Sequence, residues 1–153
     1  MSYVVSVIKK LSGELKIMTD KYKADEQLLK LAFEVLENDE ALTELAEKYR
    51  HQEFTFNTLS STISKTKNGK ITYGECFKEN DRNKCFSNAD FIIVIYAEGM
   101  KLPTENLKRL LLHELLHIGV ENNRKFIIPH DYADFKLLID RYGTDWIGEN
   151  IAE

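Results

Sequence analysis

The sequence predicts an α+β fold, in which helices near both ends of the chain pack against a small sheet of mixed or antiparallel strands. Apolar residues recur every three or four positions within residues 14–50, and this spacing indicates helix. A tight-turn signal and a continuous apolar run follow in the middle of the chain, and both are typical of strands. Helical spacing returns at residues 107–118 and again after residue 130, so this part should supply helices that cover the sheet.

The composition is that of an ordinary globular protein. We expect 153 residues to form a single domain over residues 1–153, and 43% hydrophobic with 30% charged residues is typical of that class. The formal net charge of −4 argues against a partner bound through nucleic-acid phosphates. No segment approaches about 18 consecutive apolar residues, so we predict no membrane partner.

Cysteine usage and the N-terminus favour a cytoplasmic protein. The short apolar run at the N-terminus precedes its lysines, which is the reverse of a secretory signal. Two cysteines, Cys76 and Cys85, are too few for a secreted disulfide framework. Three interpretations of the pair stay open: reduced structural residues, a disulfide that closes a hairpin, or a second metal site.

The helical segment at residues 14–50 is predicted to break once, at Asn38-Asp39. The apolar stripes before and after the break consist of Leu28, Leu31, Ala32, Val35 and Leu36, then Leu42, Leu45, Ala46 and Tyr49. Neither part contains a histidine or a cysteine, so we interpret both as helices that pack on the sheet.

The middle of the chain predicts the strands. Residues 54–63 have an extended pattern, and the turn Lys67-Asn68-Gly69-Lys70 is typical of a type I′ hairpin, with Ile71–Phe77 as its partner strand. Residues 78–87 are polar and predict a surface loop. The apolar run Phe91–Tyr96 predicts a strand that is buried on both faces at the centre of the sheet.

Two helices are predicted in the last third of the chain. Pro103 begins the first of them, and Gly119 should end it as a residue after the C-cap. A loop is expected over residues 121–129. Asp131 is then a candidate N-cap for a last helix, which Gly143 should end.

The motif His113-Glu114-Leu115-Leu116-His117 predicts a metal site on the first of these helices. Two histidines four positions apart project from one helix face, so both imidazoles can bind one Zn²⁺ at about 2.0–2.1 Å. Glu114 then lies beside the metal as a general base. The alternative is an amphipathic core helix that carries two incidental histidines.

A catalytic zinc needs a further protein ligand, because such sites have three protein ligands and water. His130 is the preferred candidate, since imidazole binds zinc well and twelve intervening residues allow the chain to return. Asp131 and Asp134 are its rivals, and both are also candidates to orient the imidazoles. Three neutral histidines would lower the pKa of bound water toward about 7, and Glu114 would move its proton to the leaving amine.

Other groups near the motif are weaker candidates. An extended peptide substrate can add to an exposed strand edge, and Ile71–Phe77 is the candidate edge. Tyr132, Arg141 and Tyr142 flank the third-ligand segment as possible oxyanion donors, but tyrosines at such spacing usually pack.

Several segments together resemble the family described as “putative phage metallopeptidase”. They are the HELLHI sequence at 113–118, PHDYADF at 129–135, RYGTDW at 141–146, YGEC at 73–76 and FIIVI at 91–95. The resemblance covers about residues 41–147. More distantly, the order of hairpin, strand, HExxH helix and later histidine is similar to SprT-like proteases, which act on proteins crosslinked to DNA.

The resemblance implies a zincin-like fold encoded by a phage or an integrated element, and hence the host cytoplasm. It also implies His113, His117 and His130 as zinc ligands and Glu114 as the base. The leading hypothesis is a zinc endopeptidase with a peptide or protein substrate. Alternatives are a hydrolase of non-peptide amides, a non-catalytic phage or host interaction protein with a structural zinc, and a SprT-like DNA-associated protease.

Overall fold

The computed structural model of the protein describes residues 21–131 and 134–147, apart from the side chains of residues 85–87. Helices and strands are mixed along the chain, so the predicted α+β class is confirmed. The described elements are β1 (Tyr22–Ala24), α1 (Glu26–Asn38), a 3₁₀ turn (Glu40–Leu42), α2 (Thr43–Arg50), β2 (Phe56–Ser61), β3 (Lys65–Lys67), β4 (Lys70–Thr72), β5 (Gly74–Lys78), α3 (Asp81–Ser87), β6 (Phe91–Ile95), α4 (Ala97–Met100), α5 (Thr104–Leu115), β7 (Ile118–Glu121), β8 (Arg124–Ile127) and α6 (Lys136–Tyr142).

A four-stranded mixed sheet forms the centre of the molecule, in the order β1-β2-β6-β5. Strand β6 is parallel to β2 and antiparallel to β5, and β1 is antiparallel to β2. All five residues of β6 are buried, so the prediction of a central strand covered on both faces is confirmed. This leaves β5 as one edge of the sheet, next to helix α5.

The two faces of the sheet differ in the size of the core that they carry. Alternate residues of β6 point to opposite faces, as a pleated strand requires. Phe91, Ile93 and Ile95 join the main core, which includes Leu36 of α1 and Leu111 of α5. The other face carries a small cluster of Ala89, Ile92, Val94 and Tyr96. Helix α5 therefore packs on the heavily covered face. None of the described helices has the length and apolar character needed to cross a membrane.

The two N-terminal helices are separated at the predicted break, Asn38-Asp39. The segment before them is not helical as predicted. Asp25 caps α1 by accepting from Leu28 N–H at 2.9 Å, and Asp39 accepts from Ala41 N–H at 3.0 Å at the break. Residues 22–24 were predicted as helix and instead form β1, which pairs with β2. This correction reflects tertiary pairing, because the three residues are exposed and have no apolar pattern of their own. Residues 14–20 lie outside the described residues.

The Asn-Gly turn is confirmed, but its partner strand is divided. Asn68 and Gly69 have φ of 53° and 76°, as a type I′ turn requires. Strand β4 pairs only with β3, whereas β5 leaves this hairpin and pairs with β6. Gly74 permits the change of partner, because a Cβ there would lie 3.0 Å from Ile95 Cδ1 and 3.1 Å from Val94 O.

Two segments predicted as loops are regular structure. Residues 81–87 form helix α3, which Asn80 caps by accepting from Asn83 N–H at 2.7 Å. Residues 121–127 of the predicted 121–129 loop belong to the β7–β8 hairpin, which turns at Asn122-Asn123 with φ of 51° and 63°. Both errors have one cause: asparagine tolerates cap and left-handed conformations that the polar composition alone does not indicate.

Two helix boundaries also differ from the prediction. Helix α5 ends at Leu115, and Gly119 lies in β7, where a Cβ would approach a ring carbon of Phe126 to 2.4 Å. Gly119 is therefore required by close packing and does not end the helix. Helix α6 begins at Lys136 with Phe135 at its N-cap, so the prediction that Asp131 is the N-cap is wrong. Asp131 still bonds to the first helical N–H, because Lys136 N–H donates to Asp131 Oδ1 at 2.8 Å. Gly143 ends α6 as predicted, with φ of 89°.

Candidate metal centre

The three histidines predicted as ligands lie together in the structure. One ring nitrogen from each of His113, His117 and His130 lies within 4.8 Å of the other two. The Nε2 atoms of His113 and His130 are 3.2 Å apart. Three imidazoles at such separations can hold one metal ion between them.

Local structure explains how His113 and His117 come to share a face. His113 is on α5, and His117 lies in the turn that directly follows the helix. The His117 N–H donates to Glu114 O at 3.1 Å, which tightens the chain after the last helical turn. The two ring centroids are 5.1 Å apart, so the motif keeps its geometry although the helix ends at Leu115.

The β7–β8 hairpin brings His130 to the other two histidines. Ile118 pairs with Ile127, and the Ile128 N–H donates to His117 O at 2.7 Å. The chain therefore reverses direction and returns beside His117 two residues before His130. The prediction that the chain turns back here is confirmed, but an ordered hairpin turns it, and only residues 128–129 of the predicted 121–129 loop are irregular.

Hydrogen bonding leaves His117 Nε2 free to act as a ligand atom. His117 Nδ1 lies 2.7 Å from Ile128 O and donates its proton there, which places the lone pair on Nε2. His113 Nδ1 lies 2.9 Å from Asp134 Oδ1, within ion-pair distance but off the line of a good hydrogen bond, so it counts among the buried polar atoms without one. Asp134 is thus placed as an orienting carboxylate beside His113.

Burial keeps two of the histidines in the form that a metal needs. Desolvation lowers the pKa of His117 to about 4, against the opposing effect of its bond to Ile128. Burial also lowers the pKa of His130, and the neighbouring His113 lowers it further. Both rings are therefore neutral near pH 7, and only a neutral imidazole has a lone pair for a metal.

Asp134 carries a negative charge beside these rings. Burial raises its pKa, but its contacts with His113, the Phe135 N–H and the Trp146 indole outweigh burial, so its pKa lies below the usual range. Asp131 instead bonds to the first N–H of α6. Of the two rival ligands, Asp134 lies beside a histidine and Asp131 makes its described contact elsewhere.

Glu114 is buried beside the histidine cluster with one oxygen unpaired. Its side chain is 2% exposed, and Oε2 has no hydrogen-bond partner among the described residues. Oε1 lies 3.6 Å from His113 Nε2. Burial raises the pKa of Glu114 to about 7, while His113 opposes this and Glu75 and Asp134 add to it. A carboxyl group with this pKa can both take and give a proton at neutral pH.

Aromatic rings enclose the cluster, and the prediction did not assign them a role. Phe135 is buried and contacts all three histidines, with ring centroids at 4.8–5.4 Å. Trp146 stacks on His113, with centroids 4.9 Å apart and ring planes at 18°. Both residues belong to segments quoted for the family resemblance, PHDYADF and RYGTDW. That resemblance was the signal in the sequence that could have linked them to the site.

The weaker candidates are resolved only in part. Tyr132 lies outside the described residues. Arg141 bonds to Asp39 at 2.9 Å, and Tyr142 lies under the Arg109 guanidinium at 4.2 Å from the ring centroid. These contacts are typical of packing between helices and give neither residue a place beside the histidines.

The edge strand β5 runs beside the catalytic candidate. A Cβ on Gly74 would lie 3.6 Å from Glu114 Cγ, so this backbone passes close to the glutamate. Cys76 of the same strand is a half-buried free thiol; burial raises its pKa, and Glu114 adds to the effect. The reduced, structural interpretation fits Cys76, whereas the side chain of Cys85 lies outside the described residues.

The comparison with protein families now places the chain. A family model described as “Putative phage metallopeptidase” matches residues 20–152. The chain belongs to this family. The resemblance recognised over residues 41–147 is therefore confirmed, and the match extends over nearly the whole chain. Comparisons with curated proteins and with solved structures give no match.

Membership of this family implies a metal, and the residues present fit one. Three imidazole nitrogens form a donor set that suits zinc, although imidazole also binds copper, iron and nickel. The unpaired oxygen of Glu114 is a second sign of fit, because a buried carboxylate without a partner is costly unless a cation or water completes it. The cluster is thus a candidate metal centre with a free acid–base group.

Proposed function

We propose that the protein is a zinc-dependent endopeptidase with a zincin-like fold. His113, His117 and His130 would hold the zinc, and Glu114 would act as general base. One observation carries the proposal: three imidazole ligand atoms converge beside a buried carboxylate oxygen that has no hydrogen bond. Family membership supports the same activity class.

The mechanism assigns one task to each group. A zinc ion held by His113, His117 and His130 would supply a Lewis acid that lowers the pKa of a water molecule toward about 7 and polarises the scissile carbonyl. Glu114 accepts a proton from the attacking water and later delivers it to the leaving amine nitrogen. Burial raises the pKa of Glu114 in the metal-free protein, whereas the charge of a bound zinc would favour the carboxylate form that accepts the proton. Asp134 holds the ring of His113 through Nδ1.

The substrate would bind as an extended peptide along strand β5. This strand pairs with β6 on one side only, and a Cβ on Gly74 at its start would lie 3.6 Å from Glu114 Cγ. Backbone hydrogen bonds to such an edge hold a peptide without demanding particular side chains. A scissile bond in a peptide added here would lie within reach of Glu114.

Two measurements on each purified variant test this proposal: its zinc content, and its rate of cleaving an unfolded substrate protein. Glu114→Gln should keep one zinc per chain and lose about 10²–10⁴-fold in turnover, because only proton transfer is removed. His113→Ala and His130→Ala should lose both zinc and activity. His51→Ala is the matched control, since His51 is exposed at the end of α2 and should change neither.

The outcomes separate this proposal from its alternatives. Undiminished cleavage by Glu114→Gln would refute the role of the base, and full zinc retention by His130→Ala would refute the ligand set. A protein that binds zinc but cleaves nothing would favour the non-catalytic interaction protein. Cleavage of a peptidoglycan fragment but not of protein would favour an amidase, and cleavage only of protein on DNA would favour the SprT-like role.

A further inference from the structure

The C-terminal end of the described chain is fastened to the helix face that carries His113. Asn106 donates from Nδ2 to Ile147 O at 3.0 Å in a buried contact, and Arg109 donates to Trp146 O at 3.3 Å. Residues 106, 109 and 113 share one face of α5, because their spacing of three and four follows the helical turn. The backbone at 146–147 is thus held along this face by two side chains.

Trp146 is linked to His113 directly through its ring and indirectly through Asp134. Its ring stacks on the imidazole, with centroids 4.9 Å apart and an interplanar angle of 18°. Its indole N–H donates to Asp134 Oδ2, and the other oxygen of that carboxylate lies 2.9 Å from His113 Nδ1. Stacking restricts the tilt of the imidazole plane, and the negatively charged carboxylate lies on the Nδ1 side of the ring.

We propose that Trp146 is a positioning residue that sets the orientation of the His113 ring for metal binding. The inference rests on the proposed metal site and adds a residue 33 positions beyond the ligand that it controls. The second torsion of histidine has a broad preference, so the ring needs contacts to hold one orientation. Outer contacts of a ligand typically change metal affinity by about 10–100-fold.

This arrangement differs from ordinary packing of a buried aromatic residue. Trp146 is 6% exposed, as a core residue would be, but its indole N–H bonds to the carboxylate that lies beside His113 Nδ1. A purely packing role would need the ring alone. Removing the N–H and removing the ring should therefore have separate effects on the metal.

Zinc affinity of the full chain, measured by competition with a chromophoric chelator, tests the proposal. Trp146→Phe keeps a stacking ring but loses the N–H, and we expect zinc to bind about 10-fold more weakly. Trp146→Leu loses both contacts, and we expect about 100-fold. Asp134→Asn removes the charge between the two rings and should match the Phe variant. The visible absorption of the Co²⁺ forms should shift in each case, because the ligand geometry changes.

Phe54→Leu is the matched control, since Phe54 is a fully buried aromatic residue that packs among Tyr49, Phe56 and Phe91. It should lower Tm and leave the zinc affinity and the Co²⁺ spectrum unchanged. Trp146 is the only tryptophan in the chain, so its fluorescence in the wild type should change on zinc binding and stay constant in His113→Ala.

Zinc affinities within twofold of wild type in both Trp146→Phe and Asp134→Asn, with unshifted Co²⁺ spectra, would overturn this role. These two variants carry the test if Trp146→Leu fails to fold. Wild-type protein that binds zinc but cleaves nothing refutes the proposed peptidase and leaves Trp146 as a positioning residue. Wild-type protein that does not bind zinc refutes both.

Discussion

The two halves of the candidate metal centre are held in different ways. His113 and Glu114 lie on α5 and are 9% and 2% exposed, inside the main core. His130 lies in an irregular segment and is exposed, where a hairpin and ring contacts position it. The position of the helix half, His113 and Glu114, depends on core packing. The position of the other half, His130, depends on a few directional contacts. Mutations in the two regions should therefore separate global stability from metal affinity.

The largest effect on stability is expected from a mutation in the core beside the helix half. Leu111→Ala should lower the free energy of unfolding by about 2–5 kcal/mol, because Leu111 is fully buried and leaves a cavity. The zinc affinity of the folded variant should equal that of wild type. Urea unfolding of metal-free protein measures the first quantity, and chelator competition measures the second.

Leu107→Ala on the same helix is the control, because Leu107 is only half-buried and should cost less. A large loss of zinc affinity in the Leu111 variant would show that core packing also controls the metal site, so that stability and metal affinity do not separate.

The buried charge of Glu114 should cost stability in the metal-free protein, and this cost depends on pH. Its pKa is about 7 when folded and near 4.5 in an unfolded chain, so the penalty is absent below about pH 4.5 and complete above about pH 7. Glu114→Gln should therefore stabilise the metal-free protein at about pH 8, by about 3 kcal/mol. Thermal melts at about pH 8 and pH 4.5 measure the difference.

Glu105→Gln is the matched exposed control on α5 and should change neither melt. An equal effect of Glu114→Gln at both pH values would contradict the predicted titration.

A smaller effect is expected from the hairpin that positions the other half. Gly119→Ala places a Cβ 2.4 Å from a ring carbon of Phe126, and we expect a cost of about 1–3 kcal/mol. The strain should displace Ile128 and with it His130, so zinc affinity should fall as well. Isothermal titration of zinc into the folded variant measures this.

Gly69→Ala is the comparison for this experiment. Its Cβ meets nothing within 4 Å, but φ of +76° strains an L-residue, at about 1 kcal/mol. It should leave zinc affinity unchanged, because that hairpin does not contact the histidines. Equal zinc affinities in both glycine variants would show that the β7–β8 hairpin does not control the site.

Much of the fold and of the candidate site could be predicted because the signals are local. The spacing of His113 and His117, the Asn68-Gly69 turn and the run Phe91–Ile95 are each read within one short element. Glu114 follows from the same motif. The helix break at Asn38-Asp39 is also local, because the Asp39 side chain bonds two residues on.

The features that the sequence did not predict depend on contacts between segments that are distant in sequence. Strand β1 exists because it pairs with β2, and nothing in Tyr22–Ala24 indicates a strand. The β7–β8 hairpin decides that His130 reaches the cluster, and Asp134 and Trp146 join His113 from 21 and 33 residues away.

The sequence by itself determined which residues are candidates to bind a metal or to move a proton, because residue type and helical spacing set that chemistry. Only the tertiary structure decided which of three candidate third ligands clusters with the other two histidines, how deeply Glu114 is buried and which ring stacks on His113. The physical reason is that burial and orientation are properties of packed neighbours, and packing joins residues that the order of the chain keeps apart.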